Sequence, residues 1–153
     1  LGGGLEARVE HGHVLFARSG AEPPGEARLR VPGRCRFGGW EVRAELRRGP
    51  VRPADADEAL LDPRSLDETL VVRSWRDGDR LRPVGLGGSK SLQDLFTDQK
   101  VPRSLRRELP VVTSGGRIAW IAGVAVSEEF AAARGAGEAA VLSANAVGAP
   151  DPA

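Results

Sequence analysis

Nine basic side chains fall between residues 71 and 107 against four acidic ones, in a chain whose formal net charge is only +1. The cations gather at three places. Arg73, Arg76, Arg80 and Arg82 surround the turn Asp77-Gly78-Asp79, Lys90 follows the run Gly85 to Gly88, and Lys100, Arg103, Arg106 and Arg107 flank Pro102. Guanidinium and ammonium groups at this density suit phosphate oxygens. A basic block inside a neutral chain points to a binding face better than a high overall pI does. Arg103, Arg106 and Arg107 stand at i, i+3 and i+4, so a helix would put them on one face. Gly78, Gly85 and Gly88 would shape the turns, with backbone amides able to cradle a phosphate. Asp79 is expected to orient a neighbouring arginine, and Pro102 to open a short helix whose start is accessible to an anion. The plainer alternative is a solvated face whose cations pair with Asp77, Asp79, Asp94 and Asp98.

The remaining candidates carry weaker chemistry. Gly85 to Ser91 reads GLGGSKS, and Ser89 stands where a nucleotide-binding loop needs glycine before its lysine. Ser114-Gly115-Gly116 matches the opening of the S-G-G-x-D-S loop of ATP pyrophosphatases, but Ile118 and Ala119 occupy the Asp and Ser positions. A hairpin turn between two strands fits it better. His11, His13 and Cys35 do not make up a zinc set, so no metal site is expected. Arg34 and Arg36 beside Cys35 could lower its pKa, but no histidine pairing supports it as a nucleophile. Asp77 and Asp79 read as turn residues before they read as a catalytic pair. Trp75 and Trp120 read as core, with a base or ribose contact open to Trp75.

The elements that must carry these groups follow from periodicity. Leu5, Ala7 and Val9, then Val14 and Phe16, then Ala27, Leu29 and Val31, then Trp40, Val42, Ala44 and Leu46 alternate as short strands broken by glycine and proline, together a small antiparallel sheet. Further strands are expected at Ala59 to Leu61, Leu70 to Trp75, Val111-Val112, Ile118 to Ala122, Val124 to Val126 and Glu138 to Leu142. Ser91 with Asp94 fits a capping box. Leu92, Leu95 and Phe96 then give the helix an inward face. A second short helix is expected over Arg103 to Glu108, stopped by Pro110.

The division expected is a β-rich first part (1–48), a linker (49–58), a domain carrying the basic block (59–145) and a disordered tail (146–153). At 153 residues and 41% hydrophobic content, the chain can bury one core. No apolar run approaches the roughly 18 residues a membrane span needs, and no signal segment opens it. A cytoplasmic protein with no membrane partner is expected, and a single cysteine agrees with a reducing compartment. The absence of methionine and the start at Leu1 lead us to expect a piece of a longer protein. Arginine outnumbers lysine 20 to 2, which fits a GC-rich genome before it argues function.

Taken in order, Val72-Arg73, Gly78-Asp79-Arg80, Arg82-Pro83, Gly85, Gly88, Lys90-Ser91-Leu92, Phe96, Lys100-Val101-Pro102, Arg106, Pro110, Ile118, Trp120 and Gly123 closely resemble the C-terminal domain of tRNA(Ile)-lysidine synthetases. Residues 1–70 resemble the preceding part weakly. The resemblance implies an α+β fold, β-rich and layered with short helices, similar to part of the phenylalanyl-tRNA synthetase β subunit. It implies a fragment of an ATP-dependent ligase that joins lysine to the wobble cytidine of an isoleucine tRNA. This domain would recognise the acceptor arm of tRNA(Ile), and ATP and Mg would belong to an N-terminal catalytic domain, a further partner. No cofactor or catalytic residue is expected in this chain. The RNA-binding residues expected are Arg73, Arg76, Arg80, Lys90, Lys100, Arg103, Arg106 and Arg107. An interaction module packing on the catalytic domain or a partner subunit is the main alternative, and an independent enzyme using Asp77, Asp79 or Cys35 the weakest. A homodimer stays open.

Overall fold

The computed structural model describes residues 5–10, 13–18, 25–49, 58–133 and 135–147. As side chains, His11 and His13 lie outside the described residues, as do residues 50–57 of the expected linker and 148–153 of the expected tail. Strands β1 (Leu5–Glu10) and β2 (His13–Arg18) form a hairpin of their own. The rest builds two antiparallel sheets, a hairpin of β8 (Arg80–Leu81) with β9 (Lys90–Ser91), and two short helices. This is the β-rich α+β architecture that the family resemblance implied.

The five-stranded sheet runs in the order β12 (Ala125–Val126), β11 (Arg117–Ile121), β10 (Val111–Ser114), β7 (Thr69–Arg73) and β3 (Ala27–Arg30). Its middle strand β10 is buried along all four residues. A strand covered on both faces shows a continuous apolar run, as Val111-Val112 begins to do, and loses the polar alternation of a half-exposed one. The four-stranded sheet runs β4 (Gly33–Phe37), β5 (Trp40–Arg48), β13 (Glu138–Ala146) and β6 (Ala59–Leu61). β13 is longer than the alternation of Glu138 to Leu142 suggests. It pairs with β5 over nine residues, and Val147 then donates to the Gly39 carbonyl at 2.6 Å.

The strands of the first part do not form one local sheet. β3 pairs with β7, whereas β4 and β5 turn into the other sheet beside β13. The change of sheet takes place at Val31-Pro32-Gly33. A Cβ on Gly33 would stand 2.8 Å from the Arg30 carbonyl oxygen, so only glycine lets the chain turn so closely on itself. One hydrophobic core runs through both sheets, from Leu29, Val42 and Leu61 to Leu70, Val111 and Leu142.

Helices α1 (Leu92–Asp98) and α2 (Arg103–Arg106) cover part of this core. The Ser91 hydroxyl accepts from the Asp94 amide at 3.1 Å and starts α1, whose Leu92, Leu95 and Phe96 are buried. α2 is shorter than the stretch to Glu108, with Leu105 its buried residue. Ser114 and Arg117 pair across Gly115-Gly116, with φ of 60° and 82° at the two glycines, the two-residue turn read from the sequence.

Candidate nucleic-acid interface

The basic block folds around one carboxylate. Asp79 sits just past Gly78, whose φ of 90° closes the turn. It accepts from Arg73 Nη1 at 2.9 Å and Nη2 at 3.1 Å, and from the Arg76 amide at 2.7 Å. Arg73 Nη1 also donates to the Ser74 carbonyl at 3.0 Å. Around this pair the chain is stitched together. The Leu92 amide at the start of α1 donates to the Asp79 carbonyl, and the Ser74 hydroxyl donates to the Arg107 carbonyl at 2.6 Å, at the end of α2. The end of β7, the turn and both helices are thus fixed by one small network. The arginine that Asp79 was expected to orient is Arg73.

Arg73 was also expected on the RNA surface. The structure places it inside, with its side chain 10% exposed and its fork committed to Asp79. Arg106 is likewise tied in. Its Nε donates to the Val101 carbonyl at 3.0 Å, and its guanidinium lies 5.6 Å from the centroid of the Phe96 ring. Burial, and next the charge of Arg103, pull the Arg106 guanidinium below its ordinary value. It does not share one open face with Arg103 and Arg107, because α2 turns that position toward α1. Trp75 packs edge-on against the same Phe96 ring at 5.5 Å and is half-buried.

The other six expected cations reach the surface or its edge. Arg76 is exposed and bonds Glu26 at 2.6 Å. Arg80 is exposed with Nη2 on the Ser89 hydroxyl at 3.2 Å, and Lys90 pairs with Asp98. Lys100, Arg103 and Arg107 are exposed and have no acidic partner among the described residues. Gly85 holds a φ of 86° in the loop between β8 (Arg80–Leu81) and β9 (Lys90–Ser91), while Gly88 has open space around its α-carbon. Pro102 precedes α2 as its cap.

Beside Asp79 lies a cleft of about 530 Å³ between residues 78–82 and the β10–β11 turn. Arg82 and Arg117 reach this region, Arg82 paired with Glu128 at 3.5 Å and Arg117 with Glu129. Neither is among the expected RNA-binding residues, although Arg82 belongs to the basic block around the turn. Arg117 stands ten residues beyond the basic block and arrives here only because β11, in the five-stranded sheet, packs against the separate β8–β9 pair. The sequence carries no local signal for that.

The two glycine-rich segments both connect antiparallel strands, β8 to β9 and β10 to β11. Ser114-Gly115-Gly116 is a strand-to-strand turn, with the Ser114 hydroxyl accepting from the Asp67 amide at 2.9 Å. No group of three or more His, Cys, Asp or Glu side chains converges among the described residues. Cys35 differs from expectation. Strand alternation sends Arg34 and Arg36 to solvent on the opposite side, while Cys35 packs on the core, and burial pushes its thiol up, not down.

Fold and surface together define a β-rich α+β domain of two antiparallel sheets with a cationic rim. The family model described as the TilS substrate C-terminal domain matches residues 70–142. A solved structure titled "Crystal structure of TILS C-terminal domain" superimposes with a TM-score of 0.67 at 30% identity, covering 82% of this chain and 100% of that one. The tRNA(Ile)-lysidine synthase of Symbiobacterium thermophilum is 39% identical over 138 residues, and that of Geobacter sulfurreducens 35% identical over 118 residues. These alignments take in 83% and 74% of this chain but 29% and 25% of the relatives, so the chain spans under a third of their length. The chain belongs to the family of TilS C-terminal domains.

Proposed function

We propose that this domain docks the acceptor arm of tRNA(Ile) for a tRNA(Ile)-lysidine synthase. In that reading the parent protein is a ligase that uses ATP and Mg in a separate catalytic domain, and this chain supplies grip and register without chemistry of its own. The carrying observation is the set of exposed cations Lys100, Arg103 and Arg107, without an acidic partner among the described residues, beside the hydrogen-bond network around Asp79. A-form RNA is read through shape, phosphates and 2′-hydroxyls, and a cationic surface fixed by a network of part-buried and exposed hydrogen bonds suits that task. Arg80, Arg76 and Lys90 join the surface by exchanging their present partners Ser89, Glu26 and Asp98 for phosphate. Arg73 and Arg106 support it from beneath.

The test is a fluorescence anisotropy titration of the chain with tRNA(Ile) and with an acceptor-arm minihelix at several salt concentrations. Arg103→Gln and Arg107→Gln should each lower the salt slope by about one unit and leave the melting temperature unchanged. Arg106→Gln should do the reverse, destabilising the fold with little change of slope, because its Nε bond and its place on Phe96 are internal. Salt-insensitive binding, or no binding to either RNA, would sink the proposal and favour packing of this face on the catalytic domain.

A further inference from the structure

The β8–β9 hairpin carries two unlike surfaces. Its stem is cationic, with Arg80 opposite Ser91, Leu81 opposite Lys90, and Arg82 where the chain leaves β8. Its tip is apolar. Val84 is 57% and Leu86 51% exposed, large hydrophobic side chains standing in water. The tip is held out by its backbone. Gly85 and Gly87 have φ of 86° and 78°, the Val84 amide donates to the Val126 carbonyl at 3.0 Å, and the Leu86 amide closes a turn on the Pro83 carbonyl at 3.2 Å. Val84 also forms the rim of a cleft of about 350 Å³ lined by Leu95, Trp120 and Val126.

An occupant must satisfy both parts at once. A protein surface covering Leu86 would have to bring apolar groups for the tip and acids for Arg80, Arg82 and Lys90 within one small footprint. A nucleic acid brings both as a matter of course. Its phosphates match the stem, and its base faces are its one large apolar surface. Those faces are open only where a helix ends or a base is unpaired. Aliphatic side chains, leucine among them, are among those that proteins press against base planes.

We infer that the tip of this hairpin, Val84 and Leu86, packs against the exposed face of a nucleobase at the end of an RNA helix, while Arg80 and Arg82 hold neighbouring phosphates. The inference rests on the RNA-docking reading above and adds to it a contact that charge alone does not provide.

The experiment titrates the chain against a minihelix carrying 2-aminopurine in an unpaired end nucleotide, and against one carrying it within the duplex. Binding should change the fluorescence of the end probe and leave the internal probe unchanged. A V84S/L86S double variant, altered only at exposed positions, should bind about tenfold more weakly, with its salt slope intact and the end-probe signal gone. Leu86→Trp, which enlarges the apolar tip, should bind more tightly. Salt-dependent binding by the wild type with unchanged affinity in the double variant would overturn this inference and leave RNA docking standing. No RNA binding by the wild type would overturn both.

Discussion

Lys100 is the one non-glycine residue with positive φ among the described residues, at 57°. It stands just past the end of α1, where the Val101 amide donates to the Phe96 carbonyl at 2.8 Å and the Lys100 amide to the Thr97 carbonyl at 3.1 Å. This pair of bonds is the Schellman arrangement, and the position Lys100 holds is ordinarily glycine. The buried Val101 and Phe96 provide the hydrophobic contact that goes with it. A Cβ in the left-handed region costs about 1 to 2 kcal/mol. Lys100→Gly removes that cost and gives the unfolded chain more freedom, which returns about 0.5 to 1 kcal/mol of it. A net gain of about 0.5 to 1 kcal/mol should remain, or about 1 to 4 °C in melting temperature for a chain of this size. If the side chain is kept there to reach a phosphate, the same variant loses one contact. The salt slope should then fall by about 0.9, which is about eightfold in affinity at an ionic strength of about 0.1 M. Lys100→Ala separates the two effects, since it keeps the Cβ and loses the charge. It should bind as weakly as the glycine variant and melt like the wild type. Thermal melts and anisotropy titrations on the three proteins read both quantities. A glycine variant no more stable than the wild type would refute the strain argument. One that is more stable and binds with the wild-type slope would refute the phosphate contact.

The local parts of the fold were legible because their causes are local. Ser91 announces the start of α1, Leu92, Leu95 and Phe96 its inner face, and Gly115-Gly116 the hairpin that follows β10. The assignment of β3 to one sheet and of β4 and β5 to the other was not legible. Alternation says which face of a strand is apolar, not which strand lies beside it. The same limit applies to the interface. Composition located the basic block, but a count of cations does not tell a solvated guanidinium from one bonded to a buried carboxylate. Arg73 and Arg107 look alike in the sequence, and only the position of Asp79 makes one of them internal. The reading of Asp79 as an orienting group came from turn chemistry and pointed to such a partner without naming it. Arg117 needed the pairing of distant strands to reach the cleft. At Cys35 the face of the strand, and not the charged neighbours Arg34 and Arg36, sets the surroundings of the thiol.

The raised pKa of Cys35 predicts that its alkylation, which needs the thiolate, follows a pH profile displaced to the alkaline side of a free thiol near about 8.5. Iodoacetamide kinetics across pH measure it, and a profile on the acid side would mean that Arg34 and Arg36 govern the thiol after all. Gly33→Ala should destabilise the fold by more than 1 to 2 kcal/mol, roughly the scale of an overpacking clash, since the Arg30 carbonyl 2.8 Å away is backbone and cannot swing aside. Urea unfolding reads the loss, and a wild-type midpoint would show that the turn relaxes freely. Asp79→Ala tests the network that the interface stands on. It takes the two side-chain bonds from Arg73 and the carboxylate from the Arg76 amide, leaving a guanidinium that is 10% exposed without a counter-charge. Removing one partner of a buried pair costs about 3 to 5 kcal/mol, and the lower end applies here because both side chains keep some exposure. Much of that cost is the stranded charge, so Arg73→Met added to Asp79→Ala should restore part of the stability even though it deletes a second native group. If the double variant is less stable than Asp79→Ala by the full cost of Arg73→Met alone, the two residues act independently. The bidentate pair would then not be what fixes the turn, and the exposed cations would owe their placement to something other than Asp79.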